Sequence, residues 1–178
     1  MPPMLKLTLV AVALLLGACR SDPIHYHTLS PVQPTGTPLS SIDIRIEQVS
    51  VPPQVDRPQM VIRQGNSGLA ILETEWWGAS LADELRSSLE EQLSNPGAPR
   101  VLLRVDVQRF DSVPGQYARM DVQWRLRNLS DEAHAFTCRS HLQTSAGNSL
   151  DEVVMAHQNN VRQLVDLVAQ AATRKACP

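Results

Sequence analysis

Cys19 is the residue whose type and position most directly predict chemistry in this chain. It closes the run Leu16-Gly17-Ala18-Cys19, which follows a start carrying Lys6 and the largely apolar stretch 7–16. A positive start, a short apolar run and small residues before a cut are typical of a secretory signal. The apolar stretch is too short to cross a bilayer of roughly 30 Å at about 1.5 Å per helical residue. The segment therefore predicts export rather than a membrane span.

The cysteine distinguishes this signal from a plain one and has the form of a bacterial lipobox. In that class the cysteine sulfur receives diacylglycerol, the chain is cut before the cysteine, and the new amino group is acylated. We therefore predict a lipoprotein signal peptide over 1–18 and covalent palmitate-type acyl chains on Cys19; an ordinary signal with a chance cysteine is the alternative. Several acyl chains make release from a membrane very slow. Arg20, where an aspartate would favour the inner membrane, favours the outer membrane, facing the periplasm.

Two cysteines, Cys138 and Cys177, remain after Cys19 is used. In an oxidising compartment such a pair favours one disulfide, with two buried thiols as the alternative. Neither cysteine has partner ligands at zinc spacing, and the pair His25 and His27 lies on a predicted tether, which is a poor metal site. We expect no metal and no cofactor other than the covalent lipid on Cys19.

The mature chain predicts one domain behind a tether. Removing 18 of the 178 residues leaves 160, enough for a sizeable core, and removing Lys6 leaves 15 basic against 18 acidic side chains. This slight acidic balance argues against nucleic-acid binding. The segment 19–41, which contains four prolines, predicts a lipidated, proline-rich tether with one short extended piece near 24–29. The segment 42–178 follows as a single domain.

Hydrophobic periodicity predicts an α+β fold. Leucines every four residues over 81–93 indicate an amphipathic helix with Ser80 as a candidate N-cap, a start nearer Trp76 being the alternative. A capping box at 149–152 opens a second helix. Apolar and polar residues alternate in strands near 42–46, 103–107 and 118–126. A turn at 65–68 predicts a hairpin of short strands near 59–63 and 69–72, and 133–142 is a further strand with Phe136, Cys138 and Leu142 on one face. We expect an antiparallel sheet meander covered on one face by two helices.

Two exposed features are candidate partner-binding surfaces. Trp76 and Trp77 are adjacent, so both cannot bury on one stripe of a helix; one is expected in the core and the other is free to meet lipid or a partner. The second feature is a stripe of arginines on the polar face of the 118–126 strand, comprising Arg119, Arg125 and Arg127. Such a stripe is ordinarily a solvated face, and the alternative is contact with an acidic partner or lipid head groups.

Several segments in order resemble the PqiC-like family of ABC-type transport auxiliary lipoproteins. They are the start His25 to Pro31, the segment from Val51-Pro52-Pro53 to Asp56-Arg57-Pro58-Gln59, the pair Trp76-Trp77 with its following leucines, and the hairpin 106–126. The resemblance covers nearly the whole mature chain. It departs from the family at Glu75, where a basic residue usually precedes the tryptophan, and at the start, where histidines flank Tyr26.

The resemblance implies a non-enzymatic subunit of an MCE/ABC-type system that moves lipids between the two membranes and maintains envelope integrity. Its implied partners are an MCE-domain periplasmic protein and inner-membrane transport components, and the chain would form a homo-oligomer at the outer membrane. Neither a Gly-x-Ser-x-Gly elbow nor a phosphate-binding loop occurs in the sequence. The alternative function is a standalone structural lipoprotein with a wall or secretion-system role, and an enzyme is a distant third.

Overall fold

The computed structural model describes residues 22–31, 41–128 and 135–178. The predicted signal peptide, Cys19 and most of the proline-rich segment, 32–40, lie outside the described residues. The elements in chain order are β1 His25–His27, β2 Asp43–Ser50, β3 Gln59–Gln64, β4 Gly68–Trp77, α1 Leu81–Leu93, β5 Arg100–Val113, β6 Tyr117–Asn128, β7 Phe136–Ser145 and α2 Leu150–Arg174.

The larger sheet has four strands in the order β2-β5-β6-β7. The strands β5, β6 and β7 form the predicted antiparallel meander, and β2 joins the outer side of β5 in parallel. Strict alternation buries one face of β6 at Ala118, Met120, Val122, Trp124 and Leu126, each no more than 2% exposed. The turn between β5 and β6 depends on Gly115, whose φ of 76° favours glycine.

A smaller sheet of three strands, in the order β1-β4-β3, lies beside the larger one. The strands β3 and β4 form the hairpin that the turn 65–68 predicts, and the short β1 adds to β4 in parallel. The register of β3 against β4 shifts between Gln59 and Val61. Beyond that shift, the hairpin carries Leu69 and Ile71 at 46% and 44% exposure.

Both helices begin at side-chain caps. The Ser80 hydroxyl accepts from the Asp83 backbone amide at the start of α1, and Ser149 with Glu152 forms the complete capping box of α2. The four leucines of α1 are all buried, as the spacing predicts. The α2 stripe packs on β6 and β7, and α1 packs on β2. The two helices thus cover the apolar face of the larger sheet and leave its other face to solvent.

A disulfide joins the sheet to the segment after α2. Cys138 on β7 and Cys177 are bonded, with Cα atoms 5.6 Å apart and a sequence separation of 39 residues. Cys138 points inward, opposite Trp124 across the strands, and is 4% exposed. The bond pins the end of α2 against the sheet, so the predicted pairing of these two cysteines is present in the structure.

The predicted α+β class and single domain are confirmed, with one refinement. Both sheets are mixed, because β1 pairs with β4, and β2 pairs with β5, in parallel. Buried residues from both sheets and both helices form one continuous core. No helix in the described ranges is long and apolar enough to cross a membrane.

Candidate binding surfaces

The predicted arginine stripe lies on the open face of the larger sheet, but its members differ in their contacts. Arg119 donates to both carboxylate oxygens of Asp121, at 3.0 and 2.9 Å. This hydrogen-bonded pair raises the pKa of Arg119. Arg127 donates to Glu47 at 2.7 Å. Two of the three predicted residues are therefore engaged in ion pairs within the chain, which leaves Arg125 as the exposed cation of the stripe.

Asp121 is the acidic centre of that ion-paired region. Burial raises the pKa of Asp121, but hydrogen bonds from Arg119 and His141 outweigh this and hold it below its ordinary value. The His141 Nδ1 atom lies 3.0 Å from an Asp121 oxygen. This end of the sheet face is thus internally neutralised.

Arg125 belongs to a different group, whose pairing across the strands the sequence did not indicate. It stands directly opposite Arg104 on β5, and on its other side Arg139 of β7 is two residues along, opposite Gln123. Arg104 donates to the Gln48 side chain, and Arg139 donates to Gln123 at 3.4 Å. None of the three arginines has a carboxylate of the described residues within ion-pair distance. We name Arg104, Arg125 and Arg139 the arginine cluster.

The arginine cluster is energetically unfavourable in isolation. Like charges directly opposite on neighbouring strands destabilise a sheet. A flat row of guanidinium groups, each able to bind a carboxylate in bidentate fashion, is suited to an acidic surface. Only the strand register reveals this group, because Arg104 and Arg139 lie 21 and 14 residues from Arg125 along the chain.

The two adjacent tryptophans are separated by the structure. They end strand β4 rather than begin a helix, because residues 78–80 separate β4 from α1. Trp77 is 3% exposed and stacks edge-on against Phe110 in the core. Trp76 is half-buried, and its Nε1 donates to the Glu73 carbonyl at 3.0 Å. Trp77 is therefore a core residue, and only Trp76 is placed to meet a partner.

Residues 22–31 form what we call the anchor strap, the part of the predicted tether that is built into the fold. Its Leu29 is fully buried. The Glu84 carboxylate on α1 accepts from the Thr28 hydroxyl at 2.8 Å and from the Leu29 amide at 2.9 Å. Ser88 donates to the Leu29 carbonyl at 2.9 Å. The strap is thus fixed to α1 at Thr28 and Leu29.

A second carboxylate holds the strap at β1. Glu75 on β4 contacts the His25 Nδ1 at 3.0 Å and the His27 Nε2 at 2.6 Å. The hydrogen bond to His27, more than that to His25, lowers the pKa of Glu75, although partial burial opposes this. His27 also lies 3.6 Å from Asp151 at the start of α2. No group of three or more potential metal ligands is arranged to hold a metal among the residues described.

In the part of the chain that the structure describes, one serine–histidine pair lies within hydrogen-bond distance, and it is buried. The Ser112 Oγ is 2.9 Å from the His157 Nε2, and the two residues are 2% and 1% exposed. Among residues 22–31, 41–128 and 135–178, the His157 Nδ1 has no hydrogen-bond partner, so none of these residues orients the ring through that atom. Burial lowers the pKa of His157 to about 3. The ring is stacked on Phe110 at 3.9 Å, which makes this pair part of the core rather than an open site.

Comparison with family models matches residues 27–169 to the ABC-type transport auxiliary lipoprotein component. The chain belongs to this family. Membership in this lipoprotein family agrees with the lipobox at Cys19, which lies before the matched region and outside the described residues. A comparison with curated proteins finds no match.

Two solved structures share the fold of this auxiliary lipoprotein. The crystal structure of an uncharacterized protein matches with a TM-score of 0.66 and 20% identity, over 85% of this chain and 99% of that one. A Xanthomonas campestris protein matches with a TM-score of 0.61 and 18% identity, over 86% of this chain and 94% of that one. At these identities the likeness establishes the fold alone.

Proposed function

We propose that this chain is an outer-membrane lipoprotein subunit of an MCE/ABC-type intermembrane lipid transport system. It is held in the membrane by the diacylglycerol and N-acyl chains on Cys19, faces the periplasm and has no catalytic activity. Its task is to dock a periplasm-spanning MCE-domain protein, as a homo-oligomer, and so to connect the inner-membrane transport components to the outer membrane and maintain envelope integrity.

The observation that carries the docking role is the arginine cluster on the open sheet face. The larger sheet buries one face against two helices, while the other is polar and exposes like charges on neighbouring strands. An acidic surface on a partner would neutralise the cluster and remove the repulsion between Arg104 and Arg125. Membership in a family of ABC-type transport auxiliary lipoproteins supports a role for this face in binding another component of a transport system.

A binding role also fits the chemistry of the interior. The Ser112 and His157 pair is buried, and no residue in the described part of the chain orients its histidine as a nucleophilic serine needs. The polar contacts around Glu75 and Glu84 serve the anchor strap. The non-enzymatic role is therefore proposed from what these groups already do within the fold.

Location is tested at Cys19. The Cys19→Ser variant offers no thiol for diacylglycerol transfer, so we expect a precursor that is neither cut nor lipidated, measured by mass spectrometry and membrane fractionation. Wild-type protein is expected in the outer-membrane fraction. A Cys19→Ser chain that is still processed and still in that fraction would rule out the lipoprotein anchor.

Docking is tested by reversing charge on the sheet face. In Arg104→Glu/Arg125→Glu we expect capture of an MCE-domain protein from detergent-solubilised envelopes to fall about tenfold or more. The introduced glutamates would repel the acidic surface of the partner. The matched control is Arg162→Glu/Arg174→Glu, two exposed arginines on α2, which should capture normally. Deleting the gene should sensitise cells to detergents, and only the wild type and the α2 control should restore resistance. A stable wild-type protein that captures no MCE-domain partner would favour the standalone structural lipoprotein.

A further inference from the structure

Exposed apolar side chains concentrate on the smaller sheet and the segment that leads into it. Of the five large apolar residues that are exposed in the described chain, four belong to the smaller sheet or its approach: Ile24 at 41%, Tyr26 at 65%, Leu69 at 46% and Ile71 at 44%. The fifth, Met155 on α2, lies apart at 53%. The larger sheet contributes none, so this distribution is a property of the region that the anchor strap joins.

Tyr26 and Trp76 form an aromatic pair on this sheet. They are register partners on β1 and β4, and their rings meet edge-to-face with centroids 6.4 Å apart. Ile24 lies two residues before Tyr26. Aromatic rings with one polar atom, beside an aliphatic side chain, are the groups that settle at the boundary between lipid head groups and acyl chains. We name Ile24, Tyr26 and Trp76 the aromatic patch.

Chain length places this patch beside the lipid anchor. From Cys19 to Ile24 there are five residues, which reach at most about 17 Å when fully extended. The strap cannot lengthen that reach, because β1 is paired with β4 and Leu29 is buried against α1. The proline-rich segment 32–40 comes after the strap and adds nothing between anchor and patch. The aromatic patch therefore stays close to the membrane surface whenever Cys19 is acylated.

We propose that the aromatic patch rests in the interfacial layer of the bilayer that holds the acyl chains of Cys19. The domain is then seated on the membrane in a fixed orientation by two points of contact, one covalent and one formed by Ile24, Tyr26 and Trp76. This inference rests on the lipid anchor of the proposed function and adds a second membrane contact to it.

The charges near the patch specify how it binds. The exposed carboxylates of Asp22, Glu73 and Asp151 lie in the strap, on β4 and at the start of α2, while Glu75 is occupied by the two histidines. Carboxylates next to a membrane oppose anionic head groups. Seating is therefore driven by burial of the aromatic and aliphatic side chains, and it should be insensitive to salt and require no anionic lipid.

The test uses the mature, lipidated protein in phosphatidylcholine vesicles whose acyl chains carry bromine, a quencher of tryptophan emission. Trp77 and Trp124 are 3% and 1% exposed, so bilayer-dependent quenching reports Trp76. We expect quenching in the wild type and its loss in Trp76→Phe. In Ile24→Ser/Tyr26→Ser it should fall by about half or more, because the apolar contact is removed. Met155→Ser, a change at an exposed apolar residue outside the patch, should be quenched like the wild type.

Each other result overturns the proposal. Absence of quenching in the wild type, equal quenching in Ile24→Ser/Tyr26→Ser, or quenching that vanishes in high salt would each contradict membrane seating by the patch. If Trp76 is shielded from solvent only after an MCE-domain protein is added, the patch is a protein-binding surface instead. Partner capture by the same variants is measured separately in detergent, so a failure of docking with quenching intact would refute the proposed partner and leave the seating in place.

Discussion

The two sheets are held in the molecule by different kinds of contact. The four-stranded sheet buries one face beneath two helices. A disulfide between Cys138 and Cys177 joins its strand β7 to the segment after α2. The three-stranded sheet buries Met60, Val61 and Trp77 but leaves Leu69 and Ile71 exposed. Its β1 edge and the strap beyond are fastened by the carboxylates of Glu75 and Glu84. Apolar burial stabilises the larger sheet, whereas local polar contacts fix the strap and the β1 edge of the smaller sheet.

Removing the disulfide is expected to cause the largest loss of stability in the larger sheet. Closing a loop of 39 residues stabilises a fold by about 3–4 kcal/mol on the chain-entropy model. Cys177→Ser breaks the bond at its exposed end and leaves Cys138 in place. We expect the free energy of unfolding in urea to fall by about that amount, with no change in proteolysis of the strap.

Thiol labelling supplies the control for that experiment. The unfolded, unreduced wild-type protein should contain no thiol that reacts. Two reactive thiols would show that the bond does not form in the protein, and a loss of stability confined to the strap would reverse the contrast between the sheets.

Leu29 tests the attachment of the strap. Because Leu29 is fully buried, Leu29→Ala should cost about 2–4 kcal/mol of local attachment, through lost burial and the cavity left behind. Limited proteolysis should then cut within 22–31 at protease levels that leave the rest of the domain intact. The exposed Ile24 provides the matched control, and Ile24→Ala should not change cleavage. If Leu29→Ala unfolds the strap and the larger sheet together, the two regions are one cooperative unit.

His157 makes the larger sheet sensitive to acid. Its pKa is about 3 in the folded protein, while an unfolded histidine has a pKa near 6.5, so the unfolded chain binds the extra proton first. Stability should therefore decrease as the pH falls below 6.5, by about 2 kcal/mol between pH 7 and pH 5. His157→Phe should flatten this dependence in urea titrations. Ser112→Ala, which removes the hydrogen bond but keeps the titrating ring, should retain it.

The smallest effects concern the open sheet face. Arg119→Gln breaks an ion pair at the surface, so we expect a small loss of stability that diminishes in salt. Arg125→Gln removes one of two opposed like charges and should be neutral or slightly stabilising. Thermal unfolding at low and high salt measures both. Equal losses would mean that Arg125 has an acidic partner within the chain.

Patterns that are local in the chain predicted the fold well. The alternation from Ala118 to Leu126 specifies β6 because every second side chain of a strand faces the core. The leucines of α1 and the capping box of α2 act within one or two helical turns, so their positions were also predictable. The pairing of Cys138 with Cys177 required only a count of cysteines and an oxidising compartment.

Contacts between distant segments were not predictable. Parallel pairing of β2 with β5 leaves no turn signature, since a long connection separates the strands. Trp76 and Trp77 precede a strong helical stripe, which favoured a helix, yet pairing with β1 and β3 extended the strand through them. The arginine cluster likewise depends on which residues stand opposite one another. Register is set by burial and turn geometry across the whole sheet, and one sequence does not display it.

The parallel pairing of β2 with β5 also has a consequence for folding kinetics. The hairpin of β5 and β6 joins neighbouring segments, whereas Asp43 and Arg100 are partners 57 positions apart, with the hairpin of β3 and β4 and helix α1 between them. Loop closure of that length is slow relative to hairpin formation. We expect the meander to form early and β2 to add late. Until β2 docks, the free edge of β5 is available for pairing with other chains, which gives the newly exported protein an interval of vulnerability to aggregation.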